Sequence, residues 1–165
     1  MEEKFLQEEE PGAEKSSRSL TKRDLNRSFA GKSFADFDIA KINGNKFSAE
    51  EKLKSKKTID KLFNEGKSVS QSGFTLVYLV ESLNTIYPAQ AGFTVSKKFF
   101  KHAVDRNRIK RLMREAYRLN KSTLYKKLTT SKQQMALMLV FKGKALPDQE
   151  MAIKSVIECI NRVKL

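Results

Sequence analysis

The chain has 165 residues, and its 33 Lys and Arg against 19 Asp and Glu give a formal net charge of +14. This length predicts one compact domain with some spare chain, and the charge predicts a polyanionic partner, either nucleic acid or an anionic membrane. No apolar run reaches the roughly 18 residues of a membrane span, and the start, Met1-Glu2-Glu3-Lys4-Phe5, lacks the basic and apolar regions of a secretion signal.

The single cysteine, Cys159, cannot form an internal disulfide, which points to a reducing cytoplasm. A cytoplasmic polyanion is more often RNA or DNA than lipid.

Residues 1–46 carry nine basic and nine acidic residues and net to zero. They are rich in Glu, Ser, Lys and Asn, and such composition buries too little apolar surface to offset chain entropy. We therefore expect a disordered extension over 1–46, with Phe29, Phe34, Phe37 and Ile39 as a short sticky or locally docking series. Residues 47–165 carry 24 basic and 10 acidic residues, and so hold the whole excess charge. They are expected to be the folded domain.

Ser48 and Glu51 have the spacing of a capping box and predict a turn. Ser55 predicts the N-cap of a first helix. Ile59, Leu62 and Phe63 share a face of it, and Gly66 ends it. Phe74–Val80 is apolar and rich in β-formers, so it reads as a strand. Ser82-Leu83-Asn84 to Pro88 is a loop, and Ala91–Ser96 a second strand. A helix follows from about Ala103 to Leu119. Gln134–Phe141 is a third strand, apolar throughout and so buried on both faces. After Pro147, the residues Met151, Ile153, Val156, Ile157, Ile160 and Val163 recur at helical spacing and predict a closing amphipathic helix. The order α, β, β, α, β, α predicts an α+β layer of helices on a small sheet.

The stretch Arg106 to Arg118 carries the functional signal. At about 100° per residue, Arg106, Lys110, Arg114, Arg118 and Arg111 fall within about 140° of one another, while Ile109, Leu112, Met113 and Ala116 take the other side. Arg108 lies at the border. An ordinary solvated face mixes signs to gain i,i+4 pairs, whereas this one has only Glu115 in its middle. A membrane-surface helix needs large apolar anchors on its exposed side, and the apolar side here is needed for the core. Nucleic acid fits best, because guanidinium groups bind phosphates in pairs of hydrogen bonds and stack on bases. Asn107 can cap the helix start or bond to RNA.

The segment Arg106-Asn107-Arg108-Ile109-Lys110-Arg111-Leu112-Met113-Arg114-Glu115-Ala116 resembles the "RNR" signature of the bacterial ribonuclease P protein component. Gly92-Phe93-Thr94-Val95-Ser96-Lys97-Lys98 is similar to the strand before it in that family. Leu53 to Lys57 with Leu62 to Ser68 resembles the family's first helix. The resemblance covers about 47–165. It implies an α-β-β-β-α-β-α sandwich like the second domain of ribosomal protein S5, with a left-handed βαβ crossover and a further small strand near Val69–Gln71. It also implies a protein subunit whose partners are a catalytic RNA, which removes the 5′ leader of precursor tRNA, and the precursor itself. Arg106, Asn107, Arg108, Lys110, Arg111 and Arg114 would face the catalytic RNA, with Lys97, Lys98 and Arg118 extending that surface. Phe63 matches an aromatic position of the family's leader-binding cleft. Ile59 stands where many members carry a second Phe, and cannot stack on a base as a ring does. Magnesium ions would be held mainly by RNA and none by the protein alone.

Two other readings remain. One is a different structural RNA binder, such as a ribosomal protein of similar fold. The other is a self-sufficient nuclease, which needs clustered carboxylates. The acids here are scattered, the only histidine, His102, has no evident partner, and neither zinc spacing nor a phosphate-cradling Gly-rich loop is present.

Overall fold

The structure is a computed structural model and describes residues 46–165. The expected disorder of 1–46 lies outside the described residues, apart from Lys46. Helix α1 is Lys56–Glu65, strands β1, β2 and β3 are Lys67–Gln71, Phe74–Val80 and Ala89–Val95, helix α2 is Ala103–Thr130, strand β4 is Met135–Phe141 and helix α3 is Gln149–Asn161. The order is α-β-β-β-α-β-α.

The four strands pair as β1-β2-β4-β3. β1 and β2 are antiparallel, as are β2 and β4, while β3 and β4 run parallel and α2 connects them. The alternation of side chains across each strand sorts the sheet into two faces. Phe74, Leu76 and Tyr78 of β2 and Met135, Leu137, Leu139 and Phe141 of β4 face the main core. There they meet Ile109, Met113, Tyr117 and Leu124 of α2, and Val156, Cys159 and Ile160 of α3. The other face carries Val77, Ala136 and Met138, which pack with Leu53 and with Leu62 of α1. Two-sided burial is why β4 reads as continuously apolar.

Helix α1 begins where the Ser55 hydroxyl accepts from the Thr58 amide at 3.3 Å. It ends at Gly66, whose amide donates to the Leu62 carbonyl. Gly66 has extended backbone, so it is required by closeness rather than by handedness: a side-chain carbon there would run into the Leu62 carbonyl oxygen. Ser48 and Glu51 make the reciprocal bonds of a capping box, the Ser48 amide to Glu51 Oε2 at 2.5 Å and the Glu51 amide to Ser48 Oγ at 3.4 Å, around a turn.

Three readings of the sequence are corrected. The small strand is longer than Val69–Gln71 and joins β2 through the two-residue turn Ser72-Gly73, both with positive φ (47° and 83°). That is the mirror-image turn whose twist suits a hairpin. The strand Ala91–Ser96 begins earlier, at Ala89, and ends at Val95. The basic helix does not stop at Leu119 but runs on to Thr130, because Leu124, Tyr125 and Leu128 continue its buried stripe into the core.

Segment 51–53 adds a short parallel bridge to the free edge of β3. The Ala91 amide donates to the Glu51 carbonyl at 2.7 Å and the Leu53 amide to the Ala91 carbonyl at 3.0 Å. A buried polar cluster holds this segment down. Lys121 of α2 forms an ion pair with Glu51 and donates to the Lys46 carbonyl at 2.7 Å, while the Tyr125 hydroxyl donates to Glu51 at 2.5 Å.

Candidate nucleic-acid interface

Helix α2 turns Ile109, Met113, Ala116 and Tyr117 into the core, so the residues between them on its outer side are left to solvent. Arg108, Arg111 and Arg114 are exposed there, and Lys110 is half-buried beside them. Together with Val104, Asn107 and Leu112, they line a single open groove. The arginine Arg108, placed at the border of the stripe by its angle, belongs to this groove. Val104 is 77% exposed and gives the cationic groove an apolar wall.

Arg114 is held from behind. Its guanidinium carbon lies 5.8 Å from the centre of the Phe93 ring, a cation–π arrangement. Lys97 and Lys98 are exposed in the turn that leads from β3 toward α2, next to the start of the same helix. Bond formation from the Lys98 amide to Ser96 Oγ at 3.3 Å and from the Phe100 amide to the Ser96 carbonyl at 3.3 Å shapes that turn.

Two arginines of the expected stripe have internal work. Arg106 donates from one guanidinium nitrogen to the carbonyls of Phe100 (2.9 Å) and Lys101 (2.6 Å). It thus clasps the loop that carries Lys97 and Lys98 onto the helix. Arg118 donates to both oxygens of Glu115, at 2.9 and 2.5 Å. This bond holds the Glu115 carboxyl below its ordinary range. The stripe therefore does not forgo ion pairs altogether: the i,i+3 partner was present in the sequence, and it draws Arg118 partly back along the helix.

Asn107 is not a cap. The N-cap position is His102, whose side chain makes no capping bond, and Asn107 is exposed one turn inside the helix, on the groove. His102 itself is exposed. Cys159 is buried, donates weakly to the Val69 carbonyl, and has its thiol pushed up by that burial.

The second expected site lies across the sheet. On α1, Leu62 is buried and Ile59 packs beside it on the small cluster with Val77 and Met138, whereas Phe63 is 52% exposed. The two candidate residues are thus separated by environment: Ile59 supports the fold, and Phe63 offers a ring to solvent. Next to them the sheet face carries Ser70 and Thr75, hydrogen-bonded at 3.0 Å, and the half-buried Thr94 and Val140. Lys52, Lys54, Lys56 and Lys57 are exposed around the start of α1. Sequence reasoning did not single out this exposed lysine run; its signal was four lysines within six residues, without an intervening acid.

Among the described residues, no three His, Cys, Asp or Glu side chains come together as metal ligands, and no helix is long and apolar enough to cross a membrane.

Residues 47–164 match the sequence profile of the family named Ribonuclease P. A ribonuclease P protein component from Chlorobaculum tepidum is 41% identical over 99 residues, covering 56% of this chain and 64% of that protein. The one from Chlorobium phaeobacteroides is 33% identical over 134 residues, covering 75% of this chain and 92% of that protein. Among solved structures, the RNase P protein of Thermotoga maritima in complex with 1-(4-fluorophenyl)-2-thiourea superposes with a TM-score of 0.56 at 21% identity, over 68% of this chain and 100% of that one. The Staphylococcus aureus RNase P protein gives 0.54 at 20% identity, over 67% and 93%. These likenesses show the same fold, and with the sequence match over 47–164 they show that the chain belongs to the ribonuclease P protein family.

Proposed function

We propose that this chain is the protein subunit of ribonuclease P, and that it binds the catalytic RNA through the groove of α2 and the precursor-tRNA 5′ leader beside α1. The observation that carries the reading is the groove itself: Asn107, Arg108, Lys110, Arg111 and Arg114 line one surface. Each guanidinium there can take two phosphate oxygens at once, and the Arg114–Phe93 contact keeps one of them in place. Lys97 and Lys98 extend the surface on a loop that Arg106 fixes. Arg118, bonded to Glu115, sits at its far end.

The leader reading rests on Phe63. An exposed ring near an exposed lysine run has the two parts of a single-strand site, a stacking platform and a track for the backbone. Ile59 contributes the packing under that platform. In this reading the phosphodiester hydrolysis belongs to the RNA. Magnesium would likewise be held mainly by RNA, as the family resemblance implies. The protein supplies cationic charge and a place for the leader. Its single thiol, Cys159, suits a reducing cytoplasm.

Filter binding of the chain to ribonuclease P RNA across a salt series tests the groove. The account expects affinity to fall steeply with salt, and the slope to flatten in Arg108→Ala/Arg111→Ala by about one to two counterions. An unchanged slope places the RNA surface elsewhere.

A further inference from the structure

We propose that Phe47, on the segment that precedes α1, positions Arg114 for RNA by clamping the ring on which Arg114 rests. The inference deepens the reading of α2 as the RNA face and depends on it. Phe47 meets Phe93 edge-to-face with centroids 5.6 Å apart, and Tyr117 edge-to-face at 5.8 Å. Phe93 and Tyr117 meet at 5.9 Å, so the three rings close on one another. Phe93 stands on β3 and is only half-buried, packed against the main core. Phe47 encloses it from one side and Tyr117 from another. Arg114 lies over the same Phe93 ring.

Phe47 is itself held. On one side of it, the Lys46 carbonyl accepts from Lys121. On the other, Glu51 is buried against Lys121 and Tyr125, and segment 51–53 is bonded to the edge of β3. The chain from 46 to 53 is therefore a strap, fixed at both ends, with Phe47 between the fixed points. An exposed arginine loses rotamer entropy when it binds. A guanidinium already parked over a ring has lost part of it beforehand, and affinity gains by the difference.

A double-mutant cycle in the full chain tests this. Phe93→Leu should weaken binding to ribonuclease P RNA about two- to five-fold, the size of an exposed cation–π contact. In an Arg114→Ala background the same change should do nothing further. An equal loss in both backgrounds overturns the inference, because Phe93 would then act on the fold at large. Phe47→Ala should copy Phe93→Leu, and Phe47→Tyr, which keeps the ring, should restore binding. The free protein gives an independent readout. The Arg114 side-chain Nε–Hε resonance should be shifted upfield by the Phe93 ring current, and should move toward its random-coil position in Phe93→Leu and Phe47→Ala. A resonance that stays put in both variants also overturns the inference. Should Phe47→Ala fail to fold, the Phe93–Arg114 cycle and the Phe93→Leu spectrum still decide. A wild-type chain without salt-dependent RNA binding would instead sink the functional reading, and the two failures are distinguishable.

Discussion

Lys121 and Glu51, separated by 70 positions in the chain, form a buried ion pair that joins the segment before α1 to the long helix α2. Tyr125 and the Lys46 carbonyl complete the arrangement. Removing one partner leaves an uncompensated buried charge. Lys121→Met should therefore lower unfolding stability by about 3–5 kcal/mol, read by urea denaturation. A loss below about 1 kcal/mol would mean that the pair is not closed in solution.

The two buried tyrosines of α2 predict an alkaline weakness. Burial pushes the phenols of Tyr117 and Tyr125 well above their ordinary value of 10.0, and the charge of Glu51 acts in the same direction on both. The folded chain keeps both neutral, whereas the unfolded chain releases these protons near pH 10. Their contribution is complete below about pH 10 and is lost as pH rises beyond it, at about 1.4 kcal/mol per pH unit for each group. Among the described residues the buried Tyr117 hydroxyl makes no hydrogen bond of good geometry, although it lies near the Tyr125 phenol. Tyr117→Phe should thus change stability by under about 1 kcal/mol at pH 7 and make the decline above pH 10 shallower. A decline unaltered by this substitution would contradict the assignment.

The arginines of the RNR segment should separate by assay. Arg106 spans two loop carbonyls, so Arg106→Ala should cost about 1–3 kcal/mol of stability as well as RNA affinity. Among the described residues Arg108 and Arg111 make no such bonds, and they line the groove. Their alanine variants should melt within about 0.5 kcal/mol of the parent while binding RNA less tightly. Equal melting of all three would show that the clasp carries no weight.

Ile59 and Phe63 should divide in the same manner. Phe63→Ala removes an exposed ring and should leave the melting temperature nearly unchanged, but weaken binding of precursor tRNA relative to mature tRNA by about 1–3 kcal/mol if the ring stacks on a leader base. Ile59→Ala takes packing from the small cluster and should destabilise by about 2 kcal/mol. Parallel loss of precursor and mature tRNA binding in Phe63→Ala would remove the leader from that ring.

Strands such as Phe74–Val80 were legible because a short run rich in β-branched and aromatic residues between turn residues admits few alternatives. The Ser55 cap was legible for a similar local reason. The second half of α2 was not. After Leu119 come Asn120, Ser122 and Thr123, residues of weak helix propensity, and the buried Lys121 among them reads as a surface residue until its distant partner is known. β1 was invisible to periodicity because Lys67-Ser68-Val69-Ser70-Gln71 has one apolar residue, although the Ser72-Gly73 turn signalled a hairpin beside it. In the site, residue types gave the cationic face. They did not show that Arg106 faces a loop or that Arg114 rests on Phe93, since each depends on a neighbour that the fold supplies, whereas the Arg118–Glu115 pair was legible from its i,i+3 spacing.

Removal of the 5′ leader from precursor tRNA by ribonuclease P RNA at low magnesium, with and without this chain, tests the central claim most directly. The account predicts slow cleavage by RNA alone, a marked acceleration when the chain is added, and none by the chain alone. Cleavage that the chain leaves unchanged, or that it performs without the RNA, would contradict it.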